Sequence, residues 1–292
     1  MPPTVPVMTA DGPLAGPVAD AVRSLAERTQ LVDGAAALSE RTVLGLDAAD
    51  RHHALAYASG RLVGYAQVWP EGASELVVLP TERRRGIGTS LWTASTDAGA
   101  TSVWAHGAMP PAKAFAAAHG LVVVRKLHRM ERAVRPAEAI TDRLPEPYTV
   151  RRFVVGSDED AWLDANSAAF AEHPEQGGMT KAELLAKEAA PWFDPAGLLL
   201  VETPELPGKI AAFHWTKRVG SEGEVHAVGI RPELQGRGLA GVLTRLGMGY
   251  LVATGVDRIV LWVDSGNERA LRTYEREGFR VSATDVVYGA PG

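Results

Sequence analysis

Two short stretches set glycine, arginine and the start of a helix in a spacing suited to holding an anion. Gln235-Gly236-Arg237-Gly238-Leu239-Ala240 follows the apolar run EVHAVGIRP, and Arg83-Arg84-Arg85-Gly86-Ile87-Gly88 follows ELVVLP. A glycine turn between a strand and a helix N-terminus leaves backbone N–H groups unpaired, and the helix dipole adds to their pull on phosphate oxygens. Gly236, Gly238 and the small Ala240 leave room for a ligand to approach the backbone, and Arg237, Arg84 and Arg85 can add charge-assisted contacts. Neither copy continues into Gly-Lys-Ser/Thr, and neither reads Gly-x-Gly-x-x-Gly with an acidic residue at the expected distance, so Walker and dinucleotide loops are excluded. Taken alone, each turn reads equally well as a structural cap.

The elements around the turns come in the same order twice. The first half gives strand patterns in HALAYA and RLVGYAQVW, joined by a Ser-Gly turn, then ELVVLP, the glycine turn and a helical pattern from Ile87. SVWAHG reads as a strand, PAKAFAAAHG as a helix closing at Gly120, and LVVVRKLHRMER as a final strand or hairpin. The second half repeats this with GLLLVE and KIAAFHWTK, then EVHAVGIRP and a helix carrying Leu239, Val242, Leu243, Leu246 and Tyr250 at helical spacing. RIVLWVD, NERALRTYEREG and FRVSATDVVYGA follow as strand, helix and last strands, so Gly86 matches Gly238 and Gly120 matches Gly278. Residues 132–150, rich in proline and charge, read as the linker. The expected fold class is α/β with a mixed α+β sheet, in two tandem domains at 1–145 and 148–292.

Composition narrows the chemistry. With 292 residues, 46% apolar and 22% charged, the chain has material for two cores. A net charge of −5 excludes a global basic field for nucleic acid, which leaves Arg83, Arg84 and Arg85 to the phosphate turn. The absence of cysteine excludes disulfides, thiolate metal sites and a cysteine nucleophile. His52 and His53 form an isolated pair, expected to be exposed and structural, and no metal is expected. The N-terminal MPPTVPVMTADGP has neither the basic nor the apolar segment of a signal peptide, and no apolar run approaches the roughly 18 residues of a membrane span. The expectation is a soluble cytoplasmic protein without membrane or nucleic-acid partners.

The strand, the proline, the Gln/Arg-x-x-Gly-x-Gly/Ala turn and the later NERALRTYEREGF resemble the GCN5-related N-acetyltransferase (GNAT) superfamily. The resemblance implies acetyl-CoA as co-substrate, with its pyrophosphate at the turn and its pantetheine arm along the preceding strand. Acetyl transfer from a thioester to an amine needs a proton acceptor, donors to the developing oxyanion and a proton for the thiolate. In that frame Glu224 is the base, directly or through a water, Tyr274 is the acid on sulfur, and backbone N–H groups around Val228 are the oxyanion donors. Outside the frame, Glu224 is a strand-end carboxylate and Tyr274 a core tyrosine. Counted into the first half, their places fall on Gly72 and Ala116, and that of Asn267 falls on Met109, followed by Pro110 and Pro111. Glu71 and Glu75 lie nearby, one out of frame and neither with an expected partner. The first domain is therefore expected to be catalytically silent.

Beyond the superfamily, AFAEHPEQGGMT, FHWTK, GEVHAVGI and NERALRTYEREGF are similar to the mycothiol acetyltransferase family, and DGAAALSE matches it more loosely. Tandem arrangement and length agree with that family. The reaction this implies is acetylation of the cysteinyl amine of cysteinyl-glucosaminyl-inositol, a small-molecule substrate, by a monomer. The implied substrate contacts are Glu40, Glu175, Lys217, Glu224 and Trp262, the last in place of a more usual tyrosine. Because Glu40 comes from the first half, they imply a substrate in the cleft between halves. The implied acetyl-CoA contacts are Val228, Gly229, Ile230, Gln235, Gly236, Arg237, Gly238, Leu239, Ala240, Gly241, Asn267, Glu268, Arg269, Ala270, Leu271 and Arg272. A second CoA would meet Leu76, Val77, Val78, Arg84, Arg85, Gly86, Ile87, Gly88 and Thr89. Two rival readings are an acetyltransferase of another amine, such as an aminoglycoside or a protein N-terminus, and an acyl-CoA-binding sensor without turnover.

Overall fold

A computed structural model describes residues 5–135, 138–171 and 176–291. The chain divides into two compact units, Met1–Leu127 with Ala283–Gly292, and His128–Ser282. The first contains β1 (Val7–Asp11), α1 (Gly16–Asp33), α2 (Glu40–Leu44), β2 (His52–Ala58), β3 (Arg61–Val68) and β4 (Ala73–Val78). It continues with α3 (Ile87–Asp97), β5 (Ser102–Ala105), α4 (Pro110–Ala118) and the beginning of β6 (Val122–Ala133). The second holds β7 (Thr149–Arg152), α5 (Glu159–Ala169), α6 (Lys181–Glu188), β8 (Leu198–Glu202), β9 (Ala212–Val219) and β10 (Glu222–Ile230). After these come α7 (Leu239–Ala253), β11 (Arg258–Asp264), α8 (Glu268–Arg276) and β12 (Arg280–Gly289). Most of β12 belongs to the first unit and half of β6 to the second, so the compact units differ from the linear halves cut near residues 145–148. The reason is packing: Val286 and Tyr288 join the core of the first unit with Trp92 and Val103, whereas Met130 joins that of the second with Phe279 and Leu251.

In the first unit the strand order is β1-β2-β3-β4-β5-β12-β6, and in the second it is β6-β11-β10-β9-β8-β7. The same local rules build both. Ser59 and Gly60 both take positive φ (49° and 73°), the geometry that lets a two-residue turn follow the twist of the β2–β3 hairpin. Each unit has one parallel pair next to its glycine turn, β4 with β5 and β10 with β11, as a helical crossover requires. The elements for which the sequence patterns above give no expectation are β1, α1, α2, β7, α5 and α6. Of these, α1 buries Ala19, Val22, Leu25 and Thr29 along one stripe. α6 opens on a Thr180–Glu183 capping box. No helix among the described residues is long and apolar enough to cross a membrane.

Candidate active site

The two glycine turns follow the same backbone path. A short 3-10 turn, Pro80–Glu82 or Pro232–Leu234, leads to a helix whose N-cap is Gly86 (φ 80°) or Gly238 (φ 80°). Neither α3 nor α7 has a side-chain cap or an acidic residue in its first turn, so the first N–H groups have no local anionic partner. A Cβ on Gly86, Gly236 or Gly238 would meet nothing within 4 Å, so these glycines are required by backbone conformation, with open space above them. The copies differ one step earlier, where Gly236 (φ 84°) corresponds to Arg84 (φ 64°). A side chain in this left-handed region costs about 1 kcal/mol. The arginines expected to face phosphate are partly engaged elsewhere: Arg85 pairs with Glu82 and Arg237 with Glu205.

Above the second turn, β10 and β11 pair from Glu222 to Val225 and then part, although β10 runs on to Ile230. A bulge on the β9 side accompanies the opening, between Val225 and Ala227. Backbone groups of Val228, Gly229 and Ile230 are thus left without β11 partners. Gly229 lies against Phe213, where a Cβ would come within 2.4 Å of the ring. Glu224 sits at the closed end of this opening, directly across from Lys217 on β9. His226 Nδ1 is 2.8 Å from Glu224 Oε1. Burial alone would push the Glu224 carboxyl up; the His226 hydrogen bond and the Lys217 and Lys187 ammonium groups outweigh it and hold the carboxyl below its ordinary range. Tyr274 packs with Val225 and Val228 in one cluster, and burial pushes its phenol up to about 12, which keeps it protonated.

The remaining expected residues fall as follows. Asn267 is the N-cap of α8, its side chain accepting from the Ala270 N–H at 3.0 Å. Within that helix Glu268 pairs with Arg272 at 3.0 Å on an exposed face. The Lys217 ammonium lies 4.7 Å over the Trp192 ring. Trp262 is 39% exposed on β11, not a core residue. Glu40 opens α2 in the first unit. Glu175 lies outside the described residues. His226 and Trp192 carry no expectation from sequence: strand alternation does not announce a bulge, and Trp192 lies in a turn between α6 and β8.

In the first unit β4 and β5 pair only from Ala73 to Glu75, the same short parallel contact. Counting back from Gly120 and Gly278 matches Ser102 with Val260, and their partners are Ala73 and Glu224. The bulge in β10 therefore moves the counterpart of Glu224 from Gly72 to Ala73; neither bears a carboxylate. Glu71 and Glu75, however, both have partners. Glu71 pairs with Arg41. Buried Glu75 accepts the Ser39 N–H at 2.8 Å and lies 3.2 Å from His106 Nε2, whose Nδ1 is 2.7 Å from Asp285. Burial opposes charge on His106, but the two carboxylates prevail and raise its pKa well above the ordinary value. Asp285 stands 179 positions from His106, so no local pattern joins them. A cavity of about 700 Å³ opens here, lined by Leu76, Val77, Val78, Arg84, Gly86, Gly88 and Thr89 together with Trp104, His106, Phe115 and Tyr288. Of the adjacent histidines, His52 is exposed and paired with Asp11, whereas His53 is buried, contrary to expectation, between the Tyr65 hydroxyl (2.7 Å) and the Gly12 carbonyl (2.9 Å).

Known proteins are similar to this chain in sequence and in fold. The acetyltransferase (GNAT) family model matches twice, at residues 21–121 and 160–279. A mycothiol acetyltransferase of Thermomonospora curvata is 43% identical, covering 95% of each chain. One from Cellulomonas flavigena is 44% identical over 96% of this chain and 88% of its own. Among solved structures, a GCN5-related N-acetyltransferase from Sphaerobacter thermophilus superposes with a TM-score of 0.69 at 24% identity, covering 99% of this chain and 98% of its own. A tandem GNAT protein of the clavulanic acid pathway gives a TM-score of 0.69 at 15% identity, covering 98% of this chain and all of its own. These two show the shared fold.

Proposed function

We propose a function from the premise that this chain belongs to the acetyltransferase (GNAT) family and, within it, to the mycothiol acetyltransferases. The chain transfers acetyl from acetyl-CoA to the cysteinyl amine of cysteinyl-glucosaminyl-inositol. One observation carries the site assignment: β10 parts from β11 between Glu224 and an uncapped helix N-terminus. The open glycine turn fits a pyrophosphate, and the unpaired edge at Val228, Gly229 and Ile230 fits the amides of a pantetheine arm.

Acetyl-CoA supplies the activated acyl thioester. Glu224, ionised, accepts the proton that the amine sheds as its nitrogen bonds to the acyl carbon. The N–H groups beside Val228 donate to the carbonyl oxygen as charge develops there. As the carbon–sulfur bond breaks, the Tyr274 hydroxyl gives its proton to the sulfur. Lys217 and Trp262, with Glu175, hold the amino sugar and its inositol. Gln235 to Gly241 bind phosphate with Asn267 to Arg272 beside them.

We assign the first unit a second CoA at residues 76–78 and 84–89, without turnover. Gly72, Ala73 and Ala116 offer no acid–base group, and both His106 nitrogens are taken by carboxylates. The test is purified protein with acetyl-CoA and cysteinyl-glucosaminyl-inositol, beside an aminoglycoside and a peptide. Acetylation of the cysteinyl sugar above both alternatives is expected; its absence would overturn the substrate assignment.

A further inference from the structure

The bulge in β10 puts a second side chain against Glu224. His226 is held between the Trp192 and Trp215 rings, with centroids 5.2 and 5.1 Å away. Its Nδ1 lies 2.8 Å from Glu224 Oε1, and its Nε2 lies 3.5 Å from Lys187 Nζ. An ammonium has only protons to offer, so Nε2 must be the bare nitrogen and Nδ1 must carry the hydrogen. A neutral imidazole of that tautomer donates to Glu224. Among the described residues, Lys217 also faces the pair, across the β9–β10 ladder.

We propose that His226 is a positioning residue for the acetyl transfer: its Nδ1–H clamps Glu224 Oε1, leaving Oε2 to accept the proton of the substrate amine, while Lys187 fixes the imidazole tautomer. This rests on the reading of Glu224 as base. Removing the donor from a partly buried carboxylate lets desolvation govern it, so the carboxyl must titrate at higher pH. A free Glu224 could also rotate away from the amine. Neither consequence arises if His226 merely fills space between two tryptophans.

The experiment reads the carboxyl directly in the full chain by NMR of protein labelled with ¹³C at the glutamate carboxyl carbon, the Glu224 signal being assigned by its loss in Glu224→Gln. In His226→Phe, which keeps a ring between the tryptophans, the Glu224 midpoint should rise by about one unit or more, a tenfold change in proton affinity. In His226→Asn, whose amide nitrogen can take the place of Nδ1–H, it should stay near the wild-type value. An unshifted midpoint in His226→Phe, or an equal shift in His226→Asn, overturns the proposal. Lys187→Met tests the tautomer without touching His226. The ¹⁵N ring shifts should show Nδ1–H in the wild type and a weaker preference for it in the variant, where the acceptor-only Glu224 carboxylate alone still favours it; Nε2–H in the wild type overturns the assignment. Kinetics separates this from its premise. A Glu224→Gln variant at wild-type rate removes the base itself, whereas an inactive Glu224→Gln with an unshifted His226→Phe removes the clamp alone.

Discussion

Tyr274 offers a clean separation of chemistry from packing. Its ring meets Phe279 edge-on at 6.0 Å and joins the Val225–Leu251 cluster, so Tyr274→Phe keeps every apolar contact and loses only the hydroxyl. If the phenol protonates the leaving sulfur, kcat should fall by about 10²-fold or more. The unfolding midpoint should barely move. A wild-type kcat in this variant would leave the tyrosine a packing residue. Glu224 and Tyr274 could be proposed from sequence because each stands at a set distance from a glycine that punctuates its element. His226 was not, since a bulge is decided by how two strands pair. Nor was the Glu75–His106–Asp285 cluster legible, because the third member arrives on the last strand.

At the scale of elements, the site depends on how tightly α7 lies against β9. A Cβ added at Gly247 would come 2.1 Å from His214 Nε2, inside a fully buried ring. His214 cannot swing aside without breaking its 2.9 Å bond to the Leu243 carbonyl. Gly247→Ala should therefore destabilise the second unit by about 1–3 kcal/mol, the usual cost of overpacking, despite alanine's better helix propensity. Denaturant unfolding measures this, and a stabilised variant would show the contact to be loose. The apolar stripe of α7 and its glycine N-cap were legible in the spacing of its residues. That spacing could not separate the contact glycines Gly247, against His214, and Gly249, against the Ile140 carbonyl, from Gly241 on the same helix, because only packing distinguishes them. The β2–β3 hairpin and both glycine turns were legible for the opposite reason: their signal is local φ chemistry.

Across the whole molecule, the repeat was legible and the exchange of strands was not. β6 and β12 read as ordinary closing strands, and which unit each half completes is set by burial of residues such as Val286 and Met130. This arrangement makes the end of the chain part of a titrating clamp in the first unit. His106 is raised to about 10 by Glu75 and Asp285, against an unfolded value near 6.5, so the native state holds a proton that the unfolded chain releases. Stability from this group is fully present below pH 6.5 and is lost as pH rises toward 10, at roughly 1.4 kcal/mol per pH unit in between. In the second unit the buried His214 has the opposite sign. Its pKa is lowered to about 4 by burial, so its contribution is present above pH 6.5 and is lost as pH falls toward 4. His53 adds the same acid sensitivity to the first unit, which leaves the alkaline side as the distinguishing one. The buried tyrosines Tyr65 and Tyr274 respond only above pH 10, outside the window. Between pH 7 and 9.5, hydrogen exchange corrected for intrinsic rates should show falling protection at Val286, Val287 and Tyr288 of β12, which pair with β5. Amides of β9 should hold constant over the same range. Equal and flat protection in both strands would mean that His106 is not charged in the folded protein, and the clamp would have to be read as a neutral hydrogen-bond chain.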